Sequence, residues 1–183
     1  MGFLLSSRRL AARYVHIFTK GLIAVAAQSR LGLACGWVDA AHIDIVEIDH
    51  YPGTWCCGSN YRDWAALDSL ADLALEFDKE MAVMETGLST ENPLGGGHSA
   101  WDQEVYVDQA MDEILTKRNA YSAQVPLNSL RLVSWYELID RCSICFLWRE
   151  DNWGILFGDP FPEGAWPPKP AYDNLQYQVS RWG

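Results

Sequence analysis

Residues 79–87 read Lys-Glu-Met-Ala-Val-Met-Glu-Thr-Gly, an apolar run over 81–84 that ends on the carboxylate of Glu85 and is released into a loop by Gly87. A short apolar run closed by glycine predicts a buried β-strand, because it is too short for an ordinary helix. Two other segments have the same form. Residues 42–49, HIDIVEID, are rich in isoleucine and valine and run into His50-Tyr51-Pro52-Gly53, while residues 129–138, SLRLVSWYEL, run into a loop of their own. Between these strands, residues 61–77 place Trp64, Leu67, Leu70, Leu73, Ala74 and Phe77 at helical spacing, and residues 101–117 do the same with Val107, Ala110, Met111, Ile114 and Leu115. Each pattern predicts a helix with one apolar stripe turned to a neighbour. The order strand, helix, strand, helix, strand, with connections long enough for crossovers, predicts an α/β fold in which a parallel sheet is flanked by helices.

Outward from this centre, Leu10, Tyr14, Ile17, Phe18, Leu22 and Val25 recur at spacings that predict a helix over 10–28, and residues 31–35 read as a short strand. Residues 1–9 are expected to be a disordered N-terminus. Pro93 and the glycines at 95–97 make 89–99 a long mobile connection, 151–170 is loop-like, and 171–178 reads as a closing helix. No interdomain linker or internal repeat stands out, so residues 1–183 are taken as one domain. A doubly wound open sheet has the same local grammar, although no glycine-rich phosphate loop separates the first strand from its helix.

The chain has 24 acidic and 14 basic side chains, a net charge of -10 that disfavours nucleic acid. No uninterrupted apolar run reaches transmembrane length, so no membrane partner is expected. Nine tryptophans and eight tyrosines are many for 183 residues. Flat rings stack on the C–H faces of sugars, so carbohydrate is the expected ligand, although any one of these rings can equally be core. The five cysteines are Cys35, Cys56, Cys57, Cys142 and Cys145, an odd number with two adjacent, which predicts neither a disulfide framework nor a metal site and leaves most of them as small buried hydrophobes. His16, His42 and His98 read as surface or packing residues, and no organic cofactor and no metal are expected. The cytoplasm is the expected location, with secretion left open because a natural N-terminus can lie upstream of Met1.

In a parallel sheet of either architecture ligands meet the carboxyl ends of the strands. Those ends carry Asp49-His50-Tyr51, Glu85-Thr86-Gly87 and Trp135-Tyr136-Glu137. Glu85, on a packed strand and oriented by the phenol of Tyr51, has the makings of an ionised nucleophile for an anomeric carbon, and it can equally be a cap on the following turn.

The segments HIDIVEIDHYPGTW, KEMAVMETGLST, RLVSWYELID and FGDPFPEGAWPPKPAYDNL resemble the sixth, seventh and eighth strand regions and the closing segment of the large (β/α)₈ glycoside hydrolase clan that includes cellulases, mannanases and galactanases. The resemblance implies the second half of a retaining glycosidase barrel. It makes Glu85 the nucleophile, as in that clan's Glu-Thr-Gly, with Tyr51 positioning it, and makes Trp135 the ring beneath the sugar at the cleavage point. His50, Asp49, Glu137, Trp55 and Trp101 are further candidates for substrate contact. The clan's acid/base glutamate usually follows an asparagine on the fourth strand, and this sequence contains no Asn-Glu pair. A complete barrel takes roughly 250 residues. The acid is therefore expected from a second copy of the chain or a separately encoded N-terminal half, either of which would also close the sheet. If it is absent, the alternative is a noncatalytic carbohydrate-binding or assembly protein. An esterase would need a Gly-x-Ser-x-Gly elbow, and none occurs.

Overall fold

The computed structural model describes residues 14–15, 44–90, 97–124, 130–142, 151–159, 161–162 and 165–182. Its centre is the pair of strands β2 (Ile45–Asp49) and β3 (Glu80–Thr86), joined by helix α1 (Ala65–Phe77). Strand β4 (Leu130–Trp135) follows helix α2 (Ala100–Gln124), and helix α3 (Ala171–Trp182) closes the described chain. A two-residue strand β1 (Tyr14–Val15) lies against β2. All three pairings are parallel and the order is β1-β2-β3-β4, so each strand sits beside its predecessor in sequence. A doubly wound sheet would reverse its order at a switch point. The described sheet progresses in one direction, as the strands of a (β/α)₈ barrel do.

All five residues of β2 are buried, and the alternation of the strand divides them between two environments. Val46 and Ile48 join Leu67, Leu70 and Leu73 of α1 and Met81 and Val83 of β3 in the apolar core. Each such leucine contributes about 2 kcal/mol on burial, enough to fix which face of β2 meets the helices. Glu47 and Asp49 alternate onto the opposite face, which in a closed barrel is the interior.

The ends of the helices follow local chemistry. Asp78 takes the left-handed conformation that ends α1, and Lys79 N–H bonds the Ala74 carbonyl beneath it. At the start of α2, Ser99 and Asp102 form a reciprocal cap: the Asp102 carboxylate accepts from Ser99 N–H at 2.6 Å, and Ser99 Oγ accepts from Asp102 N–H at 3.2 Å. These bonds from Ser99 hold the Asp102 carboxyl below the usual range. Ser99→Ala is expected to cost about 1 kcal/mol, seen as a melting temperature lower by about 3 °C. Because the folded carboxyl titrates below the unfolded one, this contribution is present above the ordinary aspartate range and lost as pH falls through the folded value. A thermal melt series taken from neutral pH down to below the ordinary aspartate range should show the gap between wild type and variant narrowing only at its acid end.

Three expectations are corrected. The helix over 10–28 does not hold at Tyr14 and Val15, which pair with Ile45 and Val46. A buried strand such as β2 must satisfy the backbone groups along its outer edge, and two good strand formers supply them, which outweighs an apolar spacing that happened to match a helix. The rest of 10–28, the strand over 31–35 and the N-terminal nine residues lie outside the described residues. The connection over 89–99 is not loose at its start. Leu88 and Ser89 are buried and Thr90 N–H bonds the Asn152 carbonyl, while 91–96 lie outside the described residues. Finally, Cys56 and Cys57 are joined to one another and Cys142 is also disulfide-bonded, so these are not free hydrophobic thiols.

Helix α2 runs past residue 117 because its final turns have partners: Lys117 and Tyr121 meet Asp68 of α1, and the Arg118 guanidinium lies 4.4 Å over the Trp182 ring of α3. No described helix is long and apolar enough to cross a membrane.

Candidate functional site

The carboxyl end of β3 is not a regular strand. Ile48 stands opposite Val83 but Asp49 stands opposite Glu85, so one extra residue, Met84, is accommodated in β3 between them. In an unbroken strand Glu85 would share the face of Met81 and Val83 and point at the helices. The bulge instead turns it onto the face of Glu47 and Asp49, which is how bulges re-aim side chains at the rims of barrels.

There the Tyr51 hydroxyl donates a 2.7 Å hydrogen bond to Glu85 Oε2, and His50 N–H donates to the Glu85 carbonyl at 3.0 Å. Backbone and side chain of the residues after β2 thus hold Glu85 from one side. Burial, followed by the hydrogen bond to Glu85 and the charges of Glu85 and Asp49, pushes ionisation of Tyr51 far above the ordinary phenol range. Tyr51 is therefore a permanent donor at neutral pH, aimed at the Glu85 carboxylate.

The ring that meets Tyr51 is Trp153, with centroids 4.9 Å apart in an edge arrangement. Trp153 is buried and also contacts Tyr136 at 5.9 Å and the exposed Trp55 at 6.4 Å. From α2, the buried Gln103 amide donates to the carbonyls of Leu88, Trp153 and Gly154, which fixes this loop to the rim. Sequence analysis did not single out Trp153. Its only signal was membership of an aromatic-rich, glycine-rich loop after the last strand, and spacing within a loop does not reveal which ring turns inward.

Trp135 stands opposite Thr86 in the β3–β4 ladder. Its ring meets Tyr106 of α2 at 5.8 Å, and Tyr106 Oη lies 2.6 Å from Thr86 Oγ1. The buried Trp135 Nε1 has no hydrogen-bond partner among the described residues. Glu137 lies at the same rim, 3.5 Å from Arg141 Nε, and Arg141 also donates to the Tyr136 hydroxyl. Gly87 is required by close approach, because a β-carbon there would collide with the Tyr136 carbonyl oxygen.

His50 turns toward the start of α1. Its Nε2 is 2.7 Å from the Asp63 carbonyl and its ring packs on Trp64 at 4.8 Å, with burial holding its pKa below the ordinary histidine value. Trp101, on the first turn of α2, is 69% exposed and makes no ring contact with the Trp153 group among the described residues. The rim therefore brings together Glu85, Tyr51 and Asp49, with Trp55 reached through Trp153, and leaves His50 and Trp101 apart. His98, from the connection before α2, bonds the Gly53 carbonyl at 2.9 Å and steadies the loop after β2. Among the described residues, one group has ligand atoms close enough for a metal ion: His50, Cys56 and Cys57.

No protein-family model matches the chain, and no curated protein sequence does. Solved structures do match. The Clostridium thermocellum N-terminal endo-1,4-beta-D-xylanase 10B, complexed with xylohexaose, shares 13% identity over 90% of this chain and 29% of its own, with a TM-score of 0.59. The GH10 xylanase from Bispora sp. MEY-1, with xylobiose, shares 16% identity over 90% of this chain and 46% of its own, with a TM-score of 0.52. At these identities the shared property is the fold: an α/β arrangement of parallel strands and helices corresponding to part of a TIM-barrel glycoside hydrolase. The chain spans less than half the length of each of these two structures.

Proposed function

We propose that the chain is a partial barrel of the cellulase, mannanase and galactanase clan that acts on a β-linked oligo- or polysaccharide, with Glu85 as the retaining nucleophile. The observation that carries the reading is the 2.7 Å bond from Tyr51 to Glu85 at the carboxyl end of a parallel sheet. A carboxylate aimed off the core face by a bulge and held by a permanent donor has the fixed position that attack on an anomeric carbon requires. Tyr136 and Trp55, backed by the buried Trp153, offer the sugar-stacking surface beside it, and Asp49, Trp135 and Glu137 line neighbouring positions of the same rim. Retaining hydrolysis also needs an acid roughly 5–5.5 Å from the nucleophile. That group is proposed to come from a second copy or a separate N-terminal half-barrel, whose docking would close the sheet.

Activated substrates test this without the acid, because a dinitrophenolate leaving group departs unprotonated. Mixing the chain with dinitrophenyl β-glycosides of xylose, glucose, mannose and galactose is expected to release a burst of one equivalent of dinitrophenolate per chain from at least one of them. Unactivated glycosides should give none until the complementary half is present. Oligosaccharide binding with no burst would replace this reading with the noncatalytic carbohydrate-binding protein, which the lack of an Asn-Glu pair favours. Tyr51→Phe keeps the ring against Trp153 but removes the donor, and is expected to slow the burst by roughly 10²-fold, read by stopped-flow absorbance.

A further inference from the structure

The loop after β2 holds a second constellation that the glycosidase reading does not use. His50, Cys56 and Cys57 place their potential ligand atoms within 4.8 Å of one another. Tetrahedral zinc-type coordination, with metal–sulfur bonds of about 2.3 Å and metal–nitrogen bonds of about 2.1 Å, separates its ligand atoms by roughly 3.5–3.8 Å. Assembling the site needs the two sulfurs to part once their bond is reduced and the histidine nitrogen to draw nearer by at most about 1 Å.

The loop is folded to keep these groups together. Gly53 takes φ 96°, Gly53 N–H bonds the Cys56 carbonyl at 2.8 Å, and Trp55 N–H returns to the Tyr51 carbonyl at 3.1 Å. The cysteines are thereby brought back over the strand end that carries His50. One ring nitrogen of the histidine is already committed. A carbonyl oxygen only accepts, so Nε2 carries the proton donated to Asp63, and the lone pair belongs to Nδ1. A ring nitrogen committed to a backbone carbonyl, with the other left to ligate, is the usual arrangement around a metal-binding histidine.

We propose that reduction of the Cys56–Cys57 bond opens a site for a soft or borderline divalent cation, with two thiolates and His50 Nδ1 as ligands and water or an external ligand in the fourth position. The chemistry balances with a dithiol or phosphine reductant. Two electrons and two protons convert the disulfide to two thiols as the reductant is oxidised, and the arriving cation displaces those two protons. In oxidising surroundings the bond closes and the site is lost, so metal capture is gated by redox state. This site stands independently of any role for Glu85.

Cobalt(II) alone is the probe. Protein reduced with a water-soluble phosphine, desalted without air and titrated with cobalt(II) is expected to bind one equivalent, with the intense visible bands of tetrahedral cobalt and a thiolate charge-transfer band in the near ultraviolet. Oxidised protein should show neither, a comparison that needs no substitution. The double variant Cys56→Ser, Cys57→Ser should lose both signals in the reduced state. His50→Gln, whose amide can still donate to the Asp63 carbonyl, should keep the charge-transfer band but bind about 10-fold or more weakly. Absence of the bands from reduced wild type, or their presence in oxidised protein, would overturn the proposal. So would their survival in the folded double variant, which would assign them to Cys35, Cys142 or Cys145. An unchanged affinity in His50→Gln would remove the histidine from the site.

Discussion

Glu85→Gln is expected to abolish the dinitrophenolate burst, lowering its rate by at least about 10³-fold, a loss of roughly 4 kcal/mol of transition-state stabilisation. The substitution is nearly isosteric, and the amide oxygen can still accept from Tyr51, so the rim geometry survives. What is lost is the negative charge and the nucleophile. Oligosaccharide affinity, measured by calorimetry on the same variant, should change by less than about 10-fold, because stacking on Trp55 and Tyr136 does not depend on the charge. A variant that loses affinity and burst together would make Glu85 a binding or structural group, and an undiminished burst would assign the chemistry to another carboxylate.

The second large effect concerns the buried ion pair that ties the rim together. Lys169 Nζ lies 2.8 Å from Asp140 Oδ1, with both side chains shut off from solvent, and also donates to Thr90 Oγ1 at 2.8 Å. Asp140 Oδ1 in turn accepts from Gly154 N–H at 2.8 Å. One pair thus joins the exit of β3, the exit of β4, the loop that carries Trp153 and the segment leading into α3. Burial pulls the Lys169 pKa down and the charge of Asp140 draws it back up, with burial prevailing. A pair of this kind adds modest net stability against an apolar replacement, but removing one partner strands the other charge. Lys169→Met is therefore expected to destabilise by about 3–5 kcal/mol, or roughly 10 °C in melting temperature. Adding Asp140→Asn, which keeps an acceptor for Gly154 while discarding the stranded charge, should recover a substantial part in thermal melts. If the double variant is as unstable as the sum of the two single variants, the cost lies in packing at each site rather than in the unpaired charge.

How far these features were legible depended on how local their causes were. The strands over β2, β3 and β4 and both long helices follow from apolar periodicity, which is a property of neighbouring residues. Strand β1 was misread because a pairing with a distant strand decided it. The parallel sheet was legible from element order, whereas the choice of barrel over doubly wound sheet needed the order of strands in space. At the site, Glu85 and Tyr51 were named from their positions at strand ends, but the bulge at Met84 that brings them onto one face leaves no mark in an apolar run. Trp153 and the approach of the cysteines to His50 were missed because both are made by loops that return across the rim. Lys169 was not singled out from its place before the last helix. Its partner Asp140 is 29 residues away, and only the folded chain shows the charge between them.

The most direct measurement is covalent trapping. The chain is incubated with a β-glycosyl inactivator that carries fluorine beside the anomeric carbon and a dinitrophenolate leaving group, which slows departure from the enzyme more than capture, and is then digested and mapped by mass spectrometry. The account predicts a single fluoroglycosyl ester on the peptide containing Glu85, absent from Glu85→Gln. An adduct on Asp49, Glu137 or any other carboxylate, or no adduct from a chain that binds the same sugar, would contradict it.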